Sequence, residues 1–179
     1  MEENEQGLPS LIEGPVLLAL SLCAAETPKG CFVEVGVFQG GSARHLATVA
    51  EYQNRLLYLY DTFEGMPYQS EFDKHPVGDF SDTSEEKVRQ AIPSATVVKG
   101  VFPDSAVEMP PIAFAHVDCD QYQAVRDSIL YLSPRMVDGG VIWFDDYECL
   151  VGANKAVNEL FPAVFLIEGK AVVRINKST

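Results

Sequence analysis

Two apolar runs in this chain end in carboxylates that are candidates for binding one cation. Residues 141–144 lead directly into Asp145 and Asp146, and residues 112–117 lead into Asp118. Continuous apolar runs of this length are typical of strands buried on both faces, and an unpaired carboxylate is costly to bury. If both strands end at the same edge of one parallel sheet, we expect these three side chains to converge there.

The ligand atoms indicate the kind of cation. Carboxylate oxygens, with positions left over for water and substrate, suit Mg²⁺, Mn²⁺ or Ca²⁺. Asp145 and Asp146 are neighbours, and adjacent strand residues point to opposite faces, so both reach one ion only if the strand ends near Phe144. The alternative is that these acids cap helices or pair with Lys155 and Arg126.

A second candidate site is the glycine-rich segment EVGVFQGG, residues 34–41, which begins within another apolar run. Its acid-x-Gly-x-x-x-Gly spacing is close to the dinucleotide fingerprint GxGxxG without matching it. Gly36 permits a turn out of the strand, and backbone amides at the start of the next helix can hold a carboxylate or phosphate. An ordinary glycine turn between a strand and a helix is the alternative.

Asp61 ends the next apolar run, about 25 positions after Gly36. In nucleoside-binding α/β folds, an acid in this position accepts hydrogen bonds from the ribose hydroxyls. A helix cap or a loop acid is the alternative. Together with residues 34–41, Asp61 favours a cofactor that contains a nucleoside.

These residues need a scaffold of alternating strands and helices, and the hydrophobic patterns supply one. They predict a mostly parallel α/β sheet with helices on both faces, closed by a C-terminal antiparallel hairpin. Ligands of such sheets bind at the carboxyl ends of the strands. The predicted strands are 31–36, 55–61, 95–99, 112–118, 141–144, 163–167 and 171–175. The predicted helices are 14–25 (a buried helix), 43–50, one ending at Ala91 after a capping box at Asp82/Thr83 and Glu85/Glu86, 121–132 and 151–160.

We expect one domain over residues 1–179, with residues 1–12 flexible and residues 62–81 forming a long binding loop. The formal charge of −13 argues against nucleic-acid binding, which needs a basic face. No apolar run reaches the ~20 residues of a membrane span, and the acidic start is unlike a signal peptide, so we expect a cytoplasmic protein. The four cysteines have no zinc-site spacing and are expected to be reduced thiols.

Several blocks of the sequence, taken in order, resemble the TylF-type macrocin O-methyltransferases. These are DTFEGMP at residues 61–67, GDFS at 78–81, AHVDCDQY at 115–122, LSPRMVDGG at 132–140 and FDDY at 144–147. The resemblance runs from about Gly30 to Leu160. It implies a class I methyltransferase with strand order 3-2-1-4-5-7-6, in which S-adenosylmethionine (SAM) supplies the methyl group and Mg²⁺ binds beside it.

The resemblance also implies roles for individual residues. The cofactor would contact Glu34, Gly36, Gly40, Gly41 and Ser42 at its methionine end and Asp61, Thr62 and Phe63 at its ribose. Asp118, Asp145 and Asp146 would bind Mg²⁺, or Mn²⁺ or Ca²⁺ in its place. Asp120 is the first candidate for the general base and Asp118 the second.

The function expected from these residues is SAM-dependent, Mg²⁺-dependent methylation of a hydroxyl on a sugar or natural-product glycoside. A catechol-like phenol is an alternative acceptor. A nicotinamide-dependent oxidoreductase and a non-catalytic SAM-binding module are alternatives from other classes. Because only about 30 residues precede the first strand, a partner subunit in a homodimer is one candidate for covering the acceptor pocket.

Overall fold

A seven-stranded sheet forms the centre of the computed structural model, which describes residues 8–177. The strands are β1 (Cys31–Val35), β2 (Leu57–Asp61), β3 (Thr96–Lys99), β4 (Ile112–Val117), β5 (Met136–Phe144), β6 (Phe165–Ile167) and β7 (Lys170–Arg174). The helices are α1 (Gly14–Ala25), α2 (Gly41–Tyr52), α3 (Glu85–Ala91), α4 (Tyr122–Leu132) and α5 (Val151–Leu160), and a 3-10 turn covers Ser133–Arg135.

The strand order is β3-β2-β1-β4-β5-β7-β6, which confirms the predicted class I methyltransferase order. The five strands from β3 to β5 are parallel. The last two are antiparallel: β7 pairs with β5, and β6 pairs with β7 at the edge, as predicted for the C-terminal hairpin. The carboxyl ends of β1, β2, β4 and β5 therefore lie along one edge of the sheet.

Alternation along the strands builds a separate core on each face of the sheet. On one face, residues such as Val33, Ala115 and Ile142 pack with α4 and α5. On the other, residues such as Phe32 and Trp143 pack with α1, α2 and α3. Both layers bury near-continuous apolar strands, as expected for a parallel sheet covered on both faces.

Three local predictions were wrong. β5 starts at Met136, so Gly139 and Gly140 lie within the strand rather than in a turn before it. The side chain that caps α3 belongs to Ser84, whose hydroxyl accepts the Lys87 N–H, and not to the predicted capping box. The α1 bounds are as predicted, but the helix is buried on one side only, because Leu18 and Leu22 stay exposed.

Other features of the described chain bear on the class of protein. Among residues 8–177, no helix combines the length and the apolar character that crossing a bilayer requires. All four cysteines are free thiols. Residues 62–81 contain no helix or strand, which confirms the long loop. Of the segment predicted to be flexible, residues 1–7 lie outside the described chain.

Candidate active site

A cavity of about 400 Å³ opens at the carboxyl edge of the sheet, where α/β folds bind their ligands. It brings the glycine-rich segment and the acidic strand ends to one place. Of the residues predicted for the cofactor, five line it: Gly36, Gly41, Ser42, Asp61 and Thr62. Three others are absent from its described lining: Glu34, Gly40 and Phe63.

Asp61 holds the backbone around the cofactor end of the cavity. Its Oδ2 accepts hydrogen bonds from the N–H groups of Val37 and Phe38, each at 2.8 Å. Its Oδ1 accepts the N–H of Phe63 at 2.7 Å. One carboxylate thus fixes both the β1–α2 turn and the turn after β2, and the same residue lines the cavity.

Glu34 lies beneath the cavity and supports it. Its side chain is fully buried, and its Oε1 accepts hydrogen bonds from Ser42 Oγ at 2.6 Å and from His116 Nδ1 at 2.7 Å. His116 is itself fully buried, and its Nε2 lies 3.9 Å from Asp145 Oδ1. Burial lowers the pKa of His116, but the carboxylates of Asp145 and Glu34 outweigh it and raise the pKa to about 10. His116 therefore links Glu34 to Asp145 under the site, and its buried Nε2 has no hydrogen-bond partner among the described residues.

The acidic end of the cavity is a cluster of three carboxylates. One oxygen each of Asp118, Asp120 and Asp146 lies within 4.8 Å of the others, and all three side chains are half-buried. Asp146 Oδ2 is buried without a hydrogen-bond partner among the described residues. Oxygen donors alone, gathered this closely, form a binding site for a hard divalent cation.

The cluster holds its protons more tightly than ordinary aspartates do. Burial, followed by the charge of Asp118, raises the pKa of Asp120 to about 6. Burial and neighbouring carboxylates also raise the pKa of Asp118 and of Asp146 well above the usual value. Such mutual repulsion is relieved either by protons or by a cation.

The three clustered carboxylates differ by one member from the predicted set of Asp118, Asp145 and Asp146. β5 ends at Phe144, which meets the condition set by the sequence, yet Asp145 turns toward another partner. Its Oδ2 accepts a 2.8 Å hydrogen bond from Lys170 Nζ, the ammonium of the first residue of β7. Burial raises the pKa of Asp145, but His116 and Lys170 outweigh burial and leave it lowered. The alternative, in which the site acids pair with Lys155 or Arg126, is not found among the described ion pairs, where Lys155 pairs with Glu159 and Arg126 lies near Asp127.

Asp120 joins the cluster through a turn and not through a strand. β4 ends at Val117, and Asp120 adopts a left-handed backbone conformation with φ of 56°. The side chains of Asp118 and Asp120 therefore converge through this turn and not through the alternation of a strand. A strained conformation of this kind at a ligand pocket is a frequent feature of functional sites.

Gln121 fastens the long loop over the cavity, a role that sequence reasoning missed. The Gln121 amide accepts the Tyr68 N–H at 2.9 Å and donates to the carbonyl oxygens of Tyr68 and His75. Next to it, the Tyr122 N–H donates to Asp73 at 2.7 Å. The missed signal was weak, because a glutamine between an acidic motif and a helix has many possible partners. Lys170 was missed because it lies in a predicted hairpin turn.

The segment before α1 also borders the cavity. Pro9, Ser10, Leu11 and Ile12 line it. A Cβ on Gly41 would lie 2.4 Å from Ser10 Cβ, so this segment rests directly on the glycine-rich turn. Close approach of this kind needs a residue without a side chain.

Sequence comparison agrees with this arrangement of fold and site. The profile of the family described as Macrocin-O-methyltransferase (TylF) matches residues 18–166. The chain belongs to this family. The matched region contains the glycine-rich segment, the long loop and all four aspartates at the ends of β4 and β5.

Two Streptomyces proteins are among the relatives of the chain. The 8-demethyl-8-(2,3-dimethoxy-alpha-L-rhamnosyl)-tetracenomycin-C 4'-O-methyltransferase of Streptomyces olivaceus is 28% identical, over 69% of this chain and 55% of the relative. The demethyldecarbamoylnovobiocin O-methyltransferase of Streptomyces niveus is 26% identical, over 73% of this chain and 57% of the relative. The chain thus spans little more than half the length of each.

Solved structures share the fold at lower identity. The O-methyltransferase NovP superposes with a TM-score of 0.81 at 22% identity, covering 94% of this chain and 82% of NovP. The calicheamicin methyltransferase CalS11 gives a TM-score of 0.76 at 18% identity, over 89% of this chain and 77% of CalS11. Both agree with a class I methyltransferase fold.

Proposed function

We propose that this protein is a SAM-dependent O-methyltransferase that methylates a hydroxyl of a sugar or natural-product glycoside with the help of a divalent cation. The observation that carries the proposal is that one cavity joins the glycine-rich turn with Asp61 to the cluster of Asp118, Asp120 and Asp146. One end suits a nucleoside cofactor, and the other suits a cation and a hydroxyl. Membership of the TylF family supports the reaction class.

The cofactor end of the cavity supplies fixed backbone and one carboxylate. Asp61 would accept hydrogen bonds from the ribose hydroxyls, with Thr62 beside it. Gly36 and Gly41 leave room for the methionine end, and Ser42 is oriented by its bond to Glu34. Glu34, Gly40 and Phe63 complete the proposed contact region, with Glu34 acting through Ser42 in the arrangement seen here.

The cation end fits Mg²⁺, Mn²⁺ or Ca²⁺ by its donor atoms and by the buried Asp146 Oδ2 that lacks a partner among the described residues. Asp118 and Asp146 are ligands in the proposal. The close approach of its oxygen to theirs supports Asp120 as the third ligand, and the sequence predicts Asp145 in that place. When bound, the cation would orient the acceptor hydroxyl and lower its pKa.

The protein's own groups then position the reactants and move one proton. Methyl transfer from a sulfonium is an in-line displacement, so holding donor and acceptor in one cavity supplies much of the rate. The Asp120 carboxylate is the proposed acceptor of the hydroxyl proton, because it lines the same cavity beside the oxygens that would hold the cation and the hydroxyl. Asp118 is the second candidate.

The acceptor class follows from chemistry and from relatives. The name of one relative describes an O-methyltransferase of a rhamnosyl-bearing tetracenomycin, and the name of another describes a demethyldecarbamoylnovobiocin O-methyltransferase. A small hydroxyl acceptor suits a cavity of about 400 Å³ beside a cation. The charge of −13 disfavours a nucleic-acid substrate.

The decisive experiment combines cofactor binding with an acceptor screen. Calorimetry with S-adenosylhomocysteine (SAH), SAM, NADH and NADPH should give binding for the first two alone. Labelled SAM with Mg²⁺ should then transfer methyl groups to sugars or glycosides in preference to catechols. Asp146→Asn should abolish transfer and leave SAH binding within about threefold, because its carboxylate belongs to the cation end. Binding of NADH without SAH binding would reject the proposal.

A further inference from the structure

Lys170 occupies an unusual place for a cation, at the edge of a pocket proposed to bind a divalent cation. It lines the cavity, and its side chain is only 14% exposed. Its ammonium lies 2.8 Å from Asp145 Oδ2. The carboxylate that the sequence assigns to a divalent ion thus has a lysine bound to it.

The sheet itself fixes this pair. In the antiparallel pairing of β5 with β7, Phe144 lies opposite Ala171, so the next residues outward, Asp145 and Lys170, lie opposite each other. Cross-strand neighbours of opposite charge attract. The pair is held by backbone register, in contrast to a surface ion pair between two flexible side chains.

The surroundings explain what the lysine neutralises. Four aspartates and Glu34 lie in or directly under one end of the cavity. Among the described residues, the ion pairs of these five acids involve His116 and Lys170, while Lys74 and His75 also line the cavity. Of the two paired groups, Lys170 makes the shorter contact with Asp145, at 2.8 Å against 3.9 Å for His116 Nε2. The ammonium of Lys170 is therefore the nearest positive charge to the Asp145 carboxylate among the described ion pairs.

We propose that Lys170 is the built-in counter-cation of Asp145 and that it limits the affinity of the pocket for divalent cations. The inference rests on the proposed cation site at Asp118, Asp120 and Asp146. By neutralising Asp145, Lys170 keeps that carboxylate from adding its charge to the cluster. The consequence is that the cation binds weakly enough to exchange. The acceptor can then enter and leave the pocket together with the cation.

The test measures binding of Mn²⁺ alone, by electron paramagnetic resonance of the free ion and by calorimetry. Lys170→Met should tighten Mn²⁺ binding by about tenfold or more, the effect of one close unit charge at a protein surface. Lys170→Arg, which keeps the charge, should bind as the wild type does. Lys155→Met is the matched control, because Lys155 pairs with Glu159 and is absent from the described cavity lining. The Mn²⁺ affinity of this variant should equal that of the wild type.

A double-mutant cycle separates the pair from general electrostatics. In an Asp145→Asn background, Lys170→Met should change Mn²⁺ affinity by less than about threefold, because the carboxylate that the lysine neutralises is gone. If Lys170→Met tightened Mn²⁺ binding equally in both backgrounds, Lys170 would act only as a distant charge, and the inference would be wrong. Unchanged or weaker Mn²⁺ binding in the single variant Lys170→Met would also overturn it. Absence of Mn²⁺ binding in every variant, the wild type included, would instead reject the proposed cation site. Circular dichroism spectra confirm that each variant is folded.

Discussion

Gly36 and Asp118 are in contact across the sheet: a Cβ on Gly36 would lie 1.7 Å from the carbonyl oxygen of Asp118. The end of β1 and the end of β4 therefore lie closer together than they could with any side chain at position 36. Gly36 also has a φ of 90°, in the left-handed region. This contact joins the glycine-rich turn to the acidic cluster, so the two halves of the proposed site are one rigid unit.

Gly36→Ala should destabilise the fold by about 3 kcal/mol or more, because both the backbone strain and the clash with Asp118 must be relieved. Gly78→Ala is the matched control. Gly78 has the same φ of 90° but has no atom within 4 Å of an added Cβ, so it should lose only ~1 kcal/mol. Urea unfolding monitored by tryptophan fluorescence measures both. Equal losses would show that strain alone, and not the contact, matters at Gly36.

Asp61→Asn should weaken SAH binding by about tenfold or more and cost ~1–3 kcal/mol of unfolding free energy. The physical reason is that an asparagine amide has a single acceptor oxygen. It can keep either the N–H groups of Val37 and Phe38 or that of Phe63, and the amide nitrogen faces the other side without accepting. Calorimetry with SAH and urea denaturation give the two readings. Asp104→Asn, at an exposed position, is the control for loss of one charge. Wild-type values for Asp61→Asn in both assays would contradict the role assigned to this carboxylate.

Stability without a divalent cation should fall as the pH rises from about 4 to 8. Asp118, Asp120 and Asp146 have raised pKa values in the folded state, that of Asp120 being about 6, so the folded protein binds more protons than the unfolded chain over this range. Its stability must then decrease as those protons are lost. Mg²⁺ replaces the protons, so stabilisation by Mg²⁺ should be larger at about pH 8 than at about pH 5.

Thermal denaturation with and without excess Mg²⁺ at both pH values checks this. Asp146→Asn serves as the control, because it lowers the charge of the cluster and should flatten both the pH dependence and the Mg²⁺ effect. A stabilisation by Mg²⁺ that is the same at both pH values would contradict a carboxylate cation site.

Gln121→Ala should loosen the long loop, since the buried Gln121 side chain binds backbone groups of Tyr68 and His75. We expect protease cleavage within residues 62–81 to accelerate and SAH affinity to fall by about tenfold, with a cost of ~1–3 kcal/mol in stability for the unpaired loop groups. Limited proteolysis with mass spectrometry locates the cuts. Gln123→Ala is the control, because the Gln123 amide binds Asp127 in the same helix. Resistance to proteases equal to that of the wild type would show that other contacts hold the loop.

The sequence determined the architecture of this protein because the signals for architecture are local. Apolar runs, their spacing and the glycine and proline positions predicted each strand and helix, with the bounds of α1 and α5 as predicted and the start of β5 five residues too late. The family blocks predicted the strand order. The same signals showed that Asp61, Asp118 and Asp146 end strands at one edge of the sheet, which suffices to locate the cavity.

Only the tertiary structure decided which partner each polar side chain takes. Lys170 reaches Asp145 because two antiparallel strands pair in one register, and His116 reaches Glu34 because β1 and β4 are neighbours in the sheet. These contacts join residues 25 and 82 positions apart. Hydrogen bonds and ion pairs act over about 3 Å, so a register shift of about two residues would exchange the partners while keeping each side chain on its own face of the sheet. The identity of the third carboxylate in the cluster depends on such contacts, and it therefore follows from the folded structure and not from the order of residues.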